Sequence, residues 1–199
     1  MIDEAVAAIQ SGKPVVLPTD TVYGLATSPY SESYTRRIYR LKGRDGTKPT
    51  ALVAADLDWL FECVPELRGR AGVIARALLP GPYTLILPNP ARRFRWVTGT
   101  TPGAIGIRVP ELEGPGAEVL RRVGAVVATS ANKAGGPDPC RLEDVPVEIR
   151  EGAAAVVDGG ELPGTPSTVL DFTGKEPRVV REGAAPAAEA LERAAAAFA

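Results

Sequence analysis

Ile2, Ala5, Val6 and Ile9 recur at helical spacing, with Asp3 and Glu4 where a first turn would lie and Gly12 just past the end. This pattern predicts an amphipathic opening helix whose acids complement its positive N-terminal end. Residues 14–18, an apolar run bounded by prolines, read as a short buried strand. Ser31 can cap a second helix in which Tyr34, Ile38 and Leu41 form one apolar stripe, leaving Arg36, Arg37 and Arg40 to other faces. That helix is expected to end near Lys42-Gly43. Residues 50–54 form a further expected strand, and residues 67–79 a helix stopped by Pro80-Gly81-Pro82. Strand-like runs follow at 83–87, 104–109, 125–128, 154–157, 167–172 and 178–180, and helical stretches at 117–123 and 143–150 alternate with some of them. Pro186 opens an alanine-rich last helix in which Leu191, Ala194, Ala195 and Phe198 share a face. The alternation predicts an α/β sheet, and with no internal repeat or long linker a single domain over residues 1–199 is expected.

Composition narrows the chemistry. With 45% apolar and 24% charged residues the chain is an ordinary globular one, and its 21 glycines and 19 prolines point to many turns, not to disorder. No apolar run approaches the roughly 18 residues that span a bilayer. Asp3 and Glu4 stand where a signal peptide would be basic, so a cytoplasmic protein is expected. The chain has no histidine, which excludes imidazole zinc sites, Ser-His and Cys-His nucleophile pairs and a histidine general base. Cys63 and Cys140 lack a second metal ligand at suitable spacing, so no metal site is expected and both read as reduced thiols. A net charge of −1 gives no global field for nucleic acid, so any basic surface must be local.

Open α/β sheets bind ligands outside the carboxyl ends of their strands, which directs attention to three hydroxyl-rich segments. One is Pro18-Thr19-Asp20-Thr21-Val22-Tyr23-Gly24-Leu25, a second Thr129-Ser130-Ala131-Asn132-Lys133-Ala134-Gly135-Gly136, and a third, Gly164-Thr165-Pro166-Ser167-Thr168, enters a strand. Taken singly, such residues serve turns and helix caps. Lys42 and Arg44 could likewise belong to a solvated charge run with Arg36, Arg37, Arg40 and Lys48. Against that, they sit beyond the helix stripe between Gly43 and Gly46, where backbone can approach a ligand. An arginine fork with a mobile lysine charge suits nucleotide phosphates, although neither G-x-x-x-x-G-K-[ST] nor G-x-G-x-x-G is present.

Pro18-Thr19-Asp20-Thr21-Val22-Tyr23-Gly24-Leu25, Lys42-Gly43-Arg44, Gly81-Pro82-Tyr83-Thr84-Leu85, Arg108-Val109-Pro110, Ser130-Ala131-Asn132, Pro166-Ser167-Thr168-Val169 and Arg181-Glu182-Gly183 follow one another in an order that resembles YrdC-like proteins. Within them the chain is similar to the short bacterial threonylcarbamoyl-AMP synthases. The resemblance runs from Ile9 to Gly183. It implies a twisted open α/β sheet of mixed parallel and antiparallel strands, with flanking helices and a concave basic cavity. It also implies a nucleotidyltransferase that makes threonylcarbamoyl-AMP and pyrophosphate from L-threonine, bicarbonate and ATP. The product would feed a downstream threonylcarbamoyl transferase complex that modifies tRNA adenosine beside the anticodon.

Carried over by position, the resemblance makes Lys42, Arg44, Ser130 and Asn132 the catalytic candidates. Arg44, Lys48, Ser130 and Arg181 are the expected ATP contacts, and Thr21, Arg108 and Ser167 the expected threonine contacts. Lys48 stands where relatives often have Asn, Val53 where some relatives place a His near the amino acid, and Ala104 where Thr is frequent. The implied chemistry suits a chain without imidazole, because a carbamate is already anionic and needs no strong base to attack phosphorus. Fixed cations and a Mg²⁺ carried by ATP would then hold the anions together. Two other functions remain open on these residues. One is an RNA-binding module using Arg92, Arg93, Arg95 and Trp96, with weak tRNA or RNA binding; the other is a carbamoyl-AMP-forming relative.

Overall fold

A computed structural model describes residues 1–198. The first half runs α1 (Ile2–Gln10), β1 (Val15–Leu17), β2 (Gly24–Thr27), α2 (Glu32–Lys42), β3 (Ala51–Ala54), α3 (Leu57–Cys63), α4 (Arg70–Leu78) and β4 (Tyr83–Pro88). The second runs β5 (Ala104–Arg108), α5 (Gly114–Val123), β6 (Ala125–Ser130), α6 (Val147–Gly152), β7 (Ala155–Val156), β8 (Thr168–Asp171), β9 (Arg178–Arg181) and α7 (Ala187–Ala196). The strands make one sheet in the order β7-β1-β2-β6-β3-β5-β4-β8-β9. Three parallel pairs (β1 with β7, β3 with β5, β4 with β8) are interspersed among five antiparallel ones, as expected of a mixed open sheet.

Alternation along each strand gives the sheet two unlike faces. Leu25, Leu52, Leu85, Ile105, Ile107 and Val127 point to one face and are buried under α2, α3, α4 and α7. The opposite face is only partly covered. There Val6 and Ile9 of α1 and Val119 of α5 close over Val15, Leu17, Ala26, Val53 and Val126. Farther across, the same face carries Ala51, Thr84, Ala104, Gly106 and Ala128, small side chains that floor an open cavity. The cavity therefore lies across a sheet face and is not confined to strand exits. Antiparallel neighbours deny this sheet the single carboxyl edge on which the strand-exit expectation rests.

Several local expectations change for identifiable reasons. Gly24–Thr27 forms a strand where a hydroxyl loop was expected through Leu25, and α3 is an additional helix, its N-terminus capped by the Asp56 carboxylate accepting from Trp59 N at 2.8 Å. Ser31 makes no such cap; its Oγ lies 2.9 Å from that of Ser33. Helix α4 starts at Arg70 because Gly69 (φ 53°) turns the chain immediately before it. Pro146 splits the expected helix over 143–150 into a 3₁₀ turn, Leu142–Asp144, and the displaced α6. Helix α7 buries Ala187, Ala190 and Ala194, while Ala195 and Phe198 face outward.

The largest revision concerns α2. Its fully buried residues are Thr35, Ile38, Tyr39 and Lys42; of the expected stripe Ile38 is among them, while Leu41 packs half-buried against the same core and Tyr34 is half-buried. The polar tips on this face are satisfied: Tyr39 donates to the Lys48 carbonyl at 3.0 Å and Lys42 meets oxygens of the segment following β6. Arg36, Arg37 and Arg40 are exposed, as expected.

The backbone at Gly183 crosses so close to residues 166 and 167 that an added Cβ would lie 2.2 Å from the Pro166 oxygen. Gly183→Ala is accordingly expected to destabilise the fold by about 1–3 kcal/mol, as overpacking does. Chemical denaturation checks this; a variant matching its parent in midpoint and slope would contradict the close packing of this crossing.

Candidate active site

Helix α2 ends on Gly43 in the left-handed region (φ 67°), with Gly43 N bonded to Arg40 O at 3.1 Å and Arg44 N to Tyr39 O at 2.8 Å. This cap sends neighbouring cations in different directions. Lys42 turns inward and is only 2% exposed, whereas Arg44 reaches the cavity wall. The Lys42 ammonium donates to Ser130 O at 2.6 Å, Asn132 O at 2.8 Å and Asn132 Oδ1. Ser130 Oγ in turn donates to Asn132 Oδ1 at 2.7 Å, and Asn132 Nδ2 to Gly136 O. Lys42, Ser130 and Asn132 thus form one hydrogen-bonded knot joining the end of α2 to the exit of β6.

Within the knot, Ser130 faces the cavity and Lys42 and Asn132 stand behind it. Burial, and then the neighbouring Arg44, pull the Lys42 pKa down to about 8, with Asp138 acting in the opposite direction. Arg44 donates to Pro49 O at 2.7 Å and keeps a buried Nε without a partner.

The second cluster gathers on Arg108, at the end of β5. Its guanidinium donates to Asp20 Oδ1 at 2.6 Å and lies 3.3 Å from Thr21 Oγ1, with both members of the ion pair largely buried. Burial raises the Asp20 pKa against the pull of Arg108, and burial lowers that of Arg108 despite Asp20. The third cluster lies at the sheet edge. Arg181 of β9 donates to Ser167 O at 2.7 Å and Ser167 Oγ at 3.2 Å, and Ser167 Oγ lies 2.8 Å from Thr84 Oγ1.

All three clusters line one cavity of about 530 Å³. Thr21, Arg44, Arg108, Ser130, Ser167 and Arg181 reach its surface. Lys48 does not; it is exposed, with its backbone oxygen accepting from Tyr39. The cavity's charge is mixed. Besides Arg44, Arg108, Arg178 and Arg181 it presents Asp138 and Asp171, and Arg108 and Arg178 are paired with Asp20 and Asp171. Arg44 and Arg181 form no ion pair among the described residues.

Asp20, Thr84 and Asp138 were not singled out from the sequence. Thr84 carried a signal, a lone polar residue alternating within the apolar strand Tyr83–Pro88. The cationic segment with Trp96 lies elsewhere, beside a groove of about 420 Å³ lined by Tyr30, Trp59, Arg93, Phe94 and Trp96. Arg93 is paired there with Glu66 at 2.6 Å. Cys63 and Cys140 are free thiols, no three His, Cys, Asp or Glu side chains come together as a metal site, and no helix is long and apolar enough to cross a membrane, all among the described residues.

The Sua5/YciO/YrdC family model, described as "Telomere recombination", matches residues 7–183. The chain belongs to the Sua5/YciO/YrdC family. Among curated members, the threonylcarbamoyl-AMP synthase of Stenotrophomonas maltophilia is 36% identical over 165 residues, covering 79% of this chain and 86% of that one. The crystal structure of Pyrococcus abyssi Sua5 complexed with L-threonine superposes with a TM-score of 0.84 at 31% identity, over 96% of this chain and 56% of that one. Escherichia coli YciO superposes with a TM-score of 0.81 at 26% identity, over 93% and 90% of the two chains. The knot and both arginine clusters lie within the residues matched by the Sua5/YciO/YrdC family model.

The buried Lys42 couples this site to stability. Its folded pKa, about 8, lies below the usual 10.5, so across that window the unfolded chain binds the additional proton. Lys42 thus costs stability below pH 8, and the cost is relieved as pH rises towards 10.5. The expected gain is on the order of 3 kcal/mol. Urea midpoints of the parent should climb relative to those of Lys42→Met across this range; parallel profiles would show that Lys42 keeps an ordinary affinity for its proton.

Proposed function

We propose that this chain is a threonylcarbamoyl-AMP synthase of the cytoplasm, serving the modification of tRNA beside the anticodon. The observation that carries the reading is the meeting of Arg44 and Arg181, in no ion pair among the described residues, with the Ser130 knot and the Arg108 cluster around one cavity. Family members bearing that activity, and the L-threonine in a related structure, support it.

In this reading Arg108 receives the threonine carboxylate. Asp20, already bonded to Arg108, makes the pocket nearly neutral and so suited to a zwitterion more than to a bare anion. Thr21 and Ser167 supply hydroxyls around the amino acid. The ammonium gives up a proton to solvent, and the free amine condenses with bicarbonate, losing water, to give a carbamate. A carbamate oxygen then forms a bond to the α-phosphorus of ATP as the bond to the bridging oxygen breaks, and pyrophosphate leaves with that electron pair.

Arg44 and Arg181 neutralise the phosphates, and Ser130 donates from the knot. Lys42 acts from behind Ser130, its charge lying in a low-dielectric interior where it is weakly screened. Lys48, exposed outside the cavity, reaches the nucleotide only by swinging inward. Asp171 is engaged by Arg178 and Thr173, which leaves few protein ligands for a cation. A Mg²⁺ ion carried by the triphosphate would supply charge neutralisation there. The product passes to a separate threonylcarbamoyl transferase complex.

Purified protein given ATP, Mg²⁺, bicarbonate and L-threonine should release pyrophosphate only when all are present; release indifferent to threonine and bicarbonate would refute the reading. Arg44→Ala is expected to lower kcat/KM by about 2–4 kcal/mol, roughly 30- to 1000-fold, while leaving thermal unfolding near that of the parent. Full turnover in the folded variant would remove Arg44 from the chemistry. Exposed Arg92 and Arg95 beside the separate aromatic groove support a weak additional contact with RNA, for which filter binding across a salt series is the test.

A further inference from the structure

The cavity wall beside Arg108 is chemically two-sided. Thr21 brings a hydroxyl oxygen to 3.3 Å from the guanidinium. On the neighbouring strand, Val53 of β3 is the register partner of Arg108 on β5, so the two side chains leave the same face of the sheet next to each other. Both line the cavity. An amino acid anchored through its carboxylate on Arg108 has its Cβ only two bonds from that anchor. Its side chain is therefore confined to the wall within immediate reach, which includes the Thr21 hydroxyl and the Val53 isopropyl group. Threonine is the amino acid whose Cβ bears one hydroxyl and one methyl.

We infer that Val53 selects threonine over serine by receiving the β-methyl group, an inference that rests on the synthase reading of Arg108. Val53 is only 6% exposed and is backed by Val126 and Val119 in the core beneath α1 and α5. It therefore forms a fixed surface, unable to collapse into the space left when serine lacks the methyl. Ala51, the other β3 residue on this face, has a single methyl and lies opposite Gly106, one step away from Arg108 in the register. Val53 is thus the branched apolar side chain that the β3–β5 register sets beside the anchor. A single methyl in such a pocket gives at most modest discrimination, so serine remains a slow substrate.

The test compares the parent with Val53→Ala and Val53→Ile, measuring pyrophosphate release with L-threonine and with L-serine at saturating ATP and bicarbonate. Calorimetric binding of L-threonine and thermal unfolding are followed in parallel. Val53→Ala should lower kcat/KM for threonine about three- to tenfold and leave that for serine nearly unchanged. Val53→Ile, whose extra carbon occupies the space of the methyl, should lower threonine more than serine. Should Val53→Ala lose the fold, Val53→Thr keeps the shape, removes the apolar contact and is expected to shift the ratio in the same direction. A threonine-to-serine ratio equal to the parent's in the folded variants, or both substrates falling in proportion, overturns the role of Val53 while the synthase reading stands. A parent that releases pyrophosphate without regard to any amino acid overturns both.

Discussion

Lys42 carries a positive charge into the interior and is met there by neutral oxygens alone, two carbonyls, an amide oxygen and, more distantly, a hydroxyl. A buried ion with no counter-ion in contact is costly, and it persists only where its protons are fully engaged. That requirement fixes the end of α2 against the segment following β6, across 90 residues of sequence. Ser130 consequently has its hydroxyl turned by Asn132 and its carbonyl held by the ammonium, so it faces the cavity in one orientation. The left-handed cap at Gly43 completes the arrangement by sending the next cation, Arg44, to the cavity wall.

The sheet makes room for this arrangement through asymmetry. One face is sealed by helices, whereas the other is covered at one end by α1 and α5 and left bare beyond them. Small residues on β3, β5 and β6 keep the bare part concave, and the polar residues that edge it come from several strands. Since the register of each strand decides which residues face the cavity, a one-residue slip in β5 would exchange Arg108 for Ile107. The hydrophobic face opposite makes such a slip expensive, so the same burial that stabilises the fold keeps the anchor in place.

Much of this was legible in the sequence, and what was not has physical reasons. Long periodic elements such as α1, α2 and β4 could be read because burial imposes its period on them. Strand β2 escaped because its first residues, Gly24 and Leu25, complete a hydroxyl-rich segment that reads as a loop, and helix α3 because its two turns carry Asp58 and Glu62 among only a few apolar positions. On α2 the burial of Lys42 and Tyr39 was missed because their polar tips find partners inside, and a hydrophobic pattern counts such tips as outward. The site candidates came from a family pattern, and the coordinates add what a pattern does not contain: Lys42 and Asn132 stand behind Ser130, Lys48 lies outside, and Asp20 shares the charge of Arg108. Asp20 had been visible as a letter in its motif, but nothing local says that its partner lies 88 residues away.

Arg181 sits on β9, the outermost strand, which has a neighbour on one side only. Its four residues are all exposed, and what fastens them is pairing with β8, the ion pair of Arg178 with Asp171 and the hold of Arg181 on Ser167. Terminal strands of this kind open at a small fraction of the free energy needed to unfold a domain, so the edge of the sheet can fray while its centre stays closed. One wall of the cavity thus rests on an exposed outer strand held to the sheet along one side only, whereas the buried lysine is tied to β6 in the sheet's interior.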